Sequence, residues 1–277
     1  ISKGLFLLAG FLYVVSLSWP SFLGVWLAME AAGLIVLTGF FTVSNLVNRY
    51  VGLLGAVIAS GVGSGMLFLG ILNEDLAYLL FLSILLKVGM FPFVGWVVVV
   101  LVNSPWVVLY FMSCVSKISL VYFSSYLSFV SLDSVLVFYF FSFVVLVFIL
   151  LNGLYDFKML FAISSISTGC LLVTFLVGAG VEEVLKFLGV YLVFSFVFLL
   201  MISGINVGYA GADKTVISVF TLLGVPFSVG ILYKFVGSYT LLNMGIYFVL
   251  VWVIYSCLEF MLIGVWLFEK SAVVEVW

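Results

Sequence analysis

Leu85-Leu86-Lys87-Val88-Gly89-Met90-Phe91-Pro92-Phe93-Val94-Gly95-Trp96 sets a lysine, two glycines and a proline inside a run that is otherwise apolar. A charge at the centre of a bilayer costs at least ~3 kcal/mol on insertion scales. Pro92 removes a backbone donor and strains a helix, so the stretch predicts a membrane span broken near its middle. Broken spans survive where the freed backbone groups face protein or a wet cavity, and such places line ion paths. Lys87 therefore reads as a working charge.

The rest of the chain is of one kind with this stretch. Hydrophobic residues make up 67% of the 277 and charged residues 7%, with a mean hydropathy of +1.49. That excludes a soluble globular protein and predicts one bundle, residues 1–277, without a polar linker. There is no basic tract for nucleic acid. Lys3 and the apolar run after it read as a first span rather than a signal peptide, since no small-residue cleavage site precedes a soluble body. Cys114, Cys170 and Cys257 stand isolated in apolar runs and read as packing residues, not disulfides or metal ligands. Histidine is absent, which rules out a bis-histidine haem or copper centre. Phe, Val, Leu and Gly abound while His and Gln are missing, a skew typical of small organelle genomes.

Spans of about 20 apolar residues divide the chain into roughly ten, at 4–18, 21–43, 51–72, 76–102, 106–129, 132–152, 158–178, 184–207, 215–242 and 245–268. The fourth is expected to break near Pro92 and the ninth near Pro226. The fold class is thus an all-α polytopic transmembrane bundle, antiporter-like, with two discontinuous helices. Loops on the side of both termini hold Lys3, Arg49, Lys158, Lys214 and Lys270. The opposite side has Lys186 as its one base, with Glu74, Asp75, Asp133, Glu182 and Glu183. By the positive-inside rule both termini face the cytoplasm or a mitochondrial matrix. Asp133, Glu182 and Glu183 fall at helix starts, where the dipole favours acids, and read as solvated caps.

Five ionisable residues remain inside spans: Glu30, Lys87, Lys117, Lys234 and Glu259. Counted at ~1.5 Å per residue from the nearest loop, the first four lie ~13–18 Å deep, near the midplane of a ~30 Å core. They predict a polar axis parallel to the membrane. Glu30 and Lys87 read either as a buried pair that fixes helix packing or as working charges close enough to couple. Lys117 and Lys234 have no evident acid partner, and low dielectric disfavours the charged form of an unpaired amine, so both read as proton sites. Lys117, flanked by Ser113, Ser116 and Ser119, is the expected switching site. It should lie between Lys87 and Lys234 on a hydrated path. Glu259 stays open between relay member and interfacial pair. Leu223-Gly224-Val225-Pro226-Phe227-Ser228-Val229-Gly230, just before Lys234, repeats the break at Lys87 and suggests inverted repeats.

These residues resemble subunit 2 of mitochondrial NADH dehydrogenase, respiratory complex I, in its short animal form. The family's tryptophan–glutamate spacing appears as Trp26-Leu27-Ala28-Met29-Glu30, and its Lys-Leu-Gly-Met-Ala-Pro-Phe motif as Lys87–Phe93 followed by Trp96. Lys117 matches its next-helix lysine, Lys158 with Ala162–Ile166 its basic residue before Ala-Tyr-Ser-Ser-Ile, and Leu223–Lys234 its Leu-Gly-Gly-Leu-Pro-Pro stretch. The resemblance implies a proton-pumping subunit driven by quinone reduction elsewhere, with no cofactor in this chain. Glu30 and Lys87 would be the coupling pair, Lys117 the central proton site and Lys234 the distal one. It also implies the mitochondrial inner membrane, with both termini on the matrix side. The partners would be other membrane-arm subunits and lipids such as cardiolipin, rather than a second copy. The short form lacks the first three helices of the bacterial version. The chain departs from the family at Val94 and Thr168, where histidine is frequent, and at Val98 and Val99, where Pro-Glu follows the tryptophan. A further helix after Phe268 is also missing. Any relay through those histidines would use water, Ser or Thr here. A stand-alone cation/proton antiporter is the alternative with the same broken helices and buried lysines.

Overall fold

A computed structural model describes residues 2–42, 48–127, 129–152, 156–204 and 229–275. Every regular element among them is helical. In order these are α1 (Ser2–Ser16), α2 (Phe22–Leu37), α3 (Arg49–Leu72), α4 (Ala77–Val88), α5 (Val94–Val102), α6 (Trp106–Ser113), α7 (Leu132–Leu151), α8 (Phe157–Gly178), α9 (Val181–Gly204), α10 (Val229–Met244) and α11 (Ile246–Glu275). Short 3₁₀ turns follow α2 and precede α4, and a 3₁₀ segment, Val115–Leu127, continues α6. Seven of the helical stretches are long and apolar enough to cross a membrane, and α1 and α4 are shorter apolar helices. The molecule is a polytopic helical membrane protein. Its outer faces carry large apolar side chains such as Leu7, Tyr78, Phe148 and Phe235, which suits a lipid or protein neighbour rather than water.

α8 is the central post. Every residue from Leu160 to Leu176 is buried, although the helix carries Ser164, Ser165, Ser167, Thr168 and Thr174. The hydroxyls of Ser164, Ser167, Thr168 and Thr174 donate back to carbonyls three or four residues earlier. A polar stripe can therefore be buried without stranded donors. α3 packs on α4 and α5 through Gly52, Ala56, Ala59, Gly63 and Gly70, all buried. Small residues at this spacing let backbones approach closely where lipid supplies no hydrophobic drive between helices.

The expected break appears between α4 and α5, and its backbone is fully accounted for. Gly89 takes φ +81°, the left-handed conformation a glycine adopts cheaply, and its N–H donates to the carbonyls of Leu85 and Leu86. The N–H of Met90 also reaches Leu85 O, at 2.9 Å. The Trp96 indole donates to Leu86 O at 2.9 Å, and the N–H of Phe91 donates to the Ser142 hydroxyl of α7 at 2.9 Å. A Cβ at Gly89 would also run into Val97, so both the conformation and the space here require glycine. Gly245, at φ +152°, makes the corresponding corner between α10 and α11.

Two boundaries differ from the sequence expectation. The span at 106–129 was expected to be one continuous helix, but it changes from α to 3₁₀ at Cys114. Hydroxyls cluster at the change: Ser113, Ser116 and Ser119 donate to the carbonyls of Tyr110, Met112 and Ser116. The last helix runs to Glu275 rather than stopping at Phe268. The second break, around Pro226, and Lys214 lie outside the described residues.

Candidate functional site

Lys87 occupies the last turn of α4, where the helix dipole favours a cation. Its ammonium donates to Glu30 Oε1 of α2 at 3.0 Å and sits 3.6 Å from the Met29 sulfur. The pair is part-buried, with side-chain exposures of 15% for Lys87 and 23% for Glu30. Gly63 of α3 makes room for it: a Cβ there would stand 3.3 Å from both Cγ and Cε of Lys87.

Lys117 is buried two residues into the 3₁₀ segment. Its ammonium donates to the backbone carbonyl of Ser165 at 2.6 Å and to the Thr168 hydroxyl at 3.2 Å, both on α8. The Thr168 hydrogen is directed at the carbonyls of Ser164 and Ser165, at 3.0 and 2.9 Å. This leaves the oxygen free to accept from the lysine. On its other side the ammonium lies 4.8 Å from the centre of the Tyr191 ring of α9, in cation–π range. No carboxylate among the described residues forms an ion pair with Lys117. Gly169 keeps this junction open, since a Cβ there would strike Val88 and approach the Lys117 ammonium to 3.6 Å.

These two sites share one cavity of about 120 Å³, lined by Tyr13, Glu30, Lys87, Ser113, Ser116 and Lys117 among others. It has room for several waters. Ser113 and Ser116, two of the three serines that flank Lys117 in sequence, both face it.

Lys234 was expected to have no acid partner, and the structure corrects this. Its ammonium donates to Glu259 Oε2 of α11 at 2.8 Å, with Glu259 almost fully buried, at 2% side-chain exposure. Because α11 extends to Glu275, Glu259 falls near the middle of the helix rather than toward its end. A carboxylate is the strongest partner that a lysine inside a span can find. Lys234 lines a separate, shallow groove with Ser256, Cys257, Phe260 and Met261. The ring of Tyr233, the neighbour of Lys234 in sequence, stands 6.1 Å from that of Tyr191. The cavity that joins Lys87 to Lys117 does not have Lys234 in its lining.

Some contributors carry little sequence signal. Ser165 acts through its carbonyl, Tyr191 through its ring face and Ser142 by holding the break. Lys158 is structural in geometry: it donates to Ser104 O at 2.7 Å and lies 5.5 Å from the Trp106 ring centre, tying α8 to the α5–α6 corner.

A multi-helix membrane bundle that holds charged side chains within its helices is the class that fold and site define. No family model matches the sequence, and no curated protein matches it. Solved structures do match by fold. A chain of respiratory complex I from Thermus thermophilus, in a structure with bound aureothin, superposes with a TM-score of 0.70 at 15% identity, over 88% of this chain and 65% of that one. A chain of the membrane-bound sulfane sulfur reductase, an archaeal respiratory membrane complex, superposes with a TM-score of 0.68 at 13% identity, over 90% of this chain and 61% of that one. The chain thus spans less than two thirds of the length of either match and shares their fold.

Proposed function

We propose that this chain is an antiporter-like proton-translocating membrane subunit of a respiratory complex of the complex I type. In the finer reading it is subunit 2 of mitochondrial NADH dehydrogenase in the short animal form. It would sit in the inner membrane with both termini on the matrix side, among other membrane-arm subunits and lipids such as cardiolipin. It would hold no redox cofactor of its own and couple to quinone reduction elsewhere in the assembly. The observation that carries the reading is the cavity joining the Glu30–Lys87 pair to Lys117, inside a fold shared with chains of two respiratory membrane complexes.

The mechanism follows from the charges. With Lys87 held by Glu30, Lys117 keeps its proton on neutral acceptors alone. If Lys87 leaves Glu30 and moves along the shared cavity, two ammonium groups approach. At ~6 Å and an effective dielectric of ~20 they repel by ~3 kcal/mol, about a hundredfold in proton affinity. Lys117 then gives up its proton in the direction of Lys234, which receives it only after its own proton has passed on and its amine is neutral. The return of Lys87 to Glu30 lets Lys117 take a new proton.

The test is made in the native assembly. Lys117→Met should leave the complex intact and uncouple proton translocation from NADH oxidation. Full coupling in an assembled Lys117→Met complex would sink the proposal. Migration of the chain alone, outside any large assembly, would favour the stand-alone antiporter.

A further inference from the structure

Among the described residues, the buried side-chain polar atoms without a hydrogen-bond partner are Trp26 Nε1 and Tyr255 Oη. An unpartnered buried donor is costly, and more so in lipid than near water. Both stand in the same relation to an ion pair. Trp26 lies four residues before Glu30 on α2, and Tyr255 four residues before Glu259 on α11. Residues at this spacing share a helix face with ~5–6 Å between their Cβ atoms. Helical side chains lean toward the N-terminus, so each carboxylate leans over the turn that carries the idle donor.

The carboxylates have matching vacant capacity. Glu30 receives Lys87 on Oε1 and Glu259 receives Lys234 on Oε2. Neither second oxygen has a protein donor among the described hydrogen bonds. Tyr255 is fixed in place by its ring, 4.5 Å from Phe143 and 6.0 Å from Trp252 between centroids. Its hydroxyl has Ser167 of α8 alongside and Glu259 within electrostatic reach. Ser167 directs its own hydrogen to Ser164 O at 2.9 Å and is the residue before Thr168, which holds Lys117. At the other pair Trp26 rests on Phe68, 5.4 Å between centroids, and Tyr13 faces the same cavity as Glu30.

We infer that Tyr255 and Trp26 are positioning residues, each kept as the alternative donor that holds its carboxylate in the ionised form when the paired lysine departs. The inference rests on the proposed proton-translocating function and adds what keeps a carboxylate from simply taking the proton in transit. On departure of Lys234, Glu259 exchanges an N–H donor for the Tyr255 O–H. No covalent bond is made or broken, and the carboxylate remains a negative charge to which the lysine returns. The same exchange at Glu30 uses the Trp26 N–H.

The experiment uses the assembled complex in sealed vesicles, with proton uptake and NADH oxidation read together. Turnover-induced infrared difference spectra follow buried carboxyl protonation. Tyr255→Phe keeps the ring packing and removes only the hydroxyl. It should lower proton uptake per NADH oxidised about tenfold, the equivalent of one hydrogen bond to a charged acceptor. It should also add a protonated-carboxyl band that disappears in Tyr255→Phe with Glu259→Gln. Trp26→Phe should act likewise, its band removed by Glu30→Gln. Unchanged uptake and spectrum in Tyr255→Phe overturn the inference, and the same result in Trp26→Phe overturns it for the Glu30 pair. If Glu259→Gln and Lys234→Met also pump normally, the proposed function fails instead, and the two failures are told apart.

Discussion

Among the described residues, lysines inside the bundle are held in two different ways. Lys87 and Lys234 each face a carboxylate, at 3.0 and 2.8 Å. Lys117 faces a carbonyl, a hydroxyl and a ring. Ion pairs keep charge in place, because parting them leaves both partners exposed to low dielectric. Neutral acceptors solvate an ammonium without fixing it, and they also tolerate the amine once the proton has gone. Charge is therefore cheaper to move at Lys117 than at either pair.

That contrast is most directly broken at its most buried point. Glu259→Ala strands Lys234 away from any other carboxylate, and removing one partner of a buried pair costs about 3–5 kcal/mol. We expect reduced assembly and a lower melting temperature of the complex. Lys234→Met with Glu259→Leu should recover most of that stability, since apolar replacement of a buried pair is often neutral, yet remain defective in pumping. Recovery of pumping in the double variant would show the distal pair to be a packing device. Lys117→Met should be the mirror image. It removes a charge with no counter-charge, so thermal stability should hold or rise while coupled proton uptake is lost. A large loss of stability would mean that Lys117 is a structural tether.

How much of this could be read in advance follows the same division. The depth of Glu30 and Lys87 and the Gly-Met-Phe-Pro run made their pair and the helix break legible, since charge and proline are expensive in lipid wherever they occur. The lack of a carboxylate near Lys117 was legible too. The Lys234–Glu259 pair was not, because it depends on which faces of α10 and α11 meet, and hydropathy does not give that. The 3₁₀ segment escaped because apolar periodicity averages over hydroxyl groups that rewire the backbone. Tyr191 is one of 14 tyrosines, and nothing in the chain marks the one whose ring meets an ammonium. Tertiary approach decides that.

A middle-sized effect is expected at Thr168, where the lysine of the carboxylate-free site keeps one of its acceptors. Thr168→Val preserves shape and deletes the oxygen 3.2 Å from Lys117. Hydrogen bonds to charged groups contribute about 1.5–3 kcal/mol, so Lys117 should give up its proton more readily and recapture it more slowly. Steady-state proton uptake should fall roughly tenfold, with NADH oxidation less affected. Thr168→Ser should restore it, and failure to do so would move the role from the hydroxyl to the methyl contact.

The smallest expected effect lies on the paired side, at Gly63, and it separates the making of the Glu30–Lys87 pair from its motion. Gly63→Ala places a methyl 3.3 Å from Cγ and Cε of Lys87, closer than ordinary carbon contacts of ~3.5–4.0 Å. The lysine stem must yield by a few tenths of an ångström. Alanine in a helix interior gains about 0.5–1 kcal/mol over glycine, which roughly offsets that crowding, so the melting temperature should stay close to that of the parent. The ammonium can still reach Glu30, because only its stem is displaced. What narrows is the space through which the stem swings when the pair opens toward Lys117. Proton uptake should therefore fall a few-fold while stability is unchanged, a combination that a static packing role for the pair does not produce. If Gly63→Ala pumps as the parent does, Lys87 does not sweep past α3, and the opening motion must run along the Met29 side of the cavity.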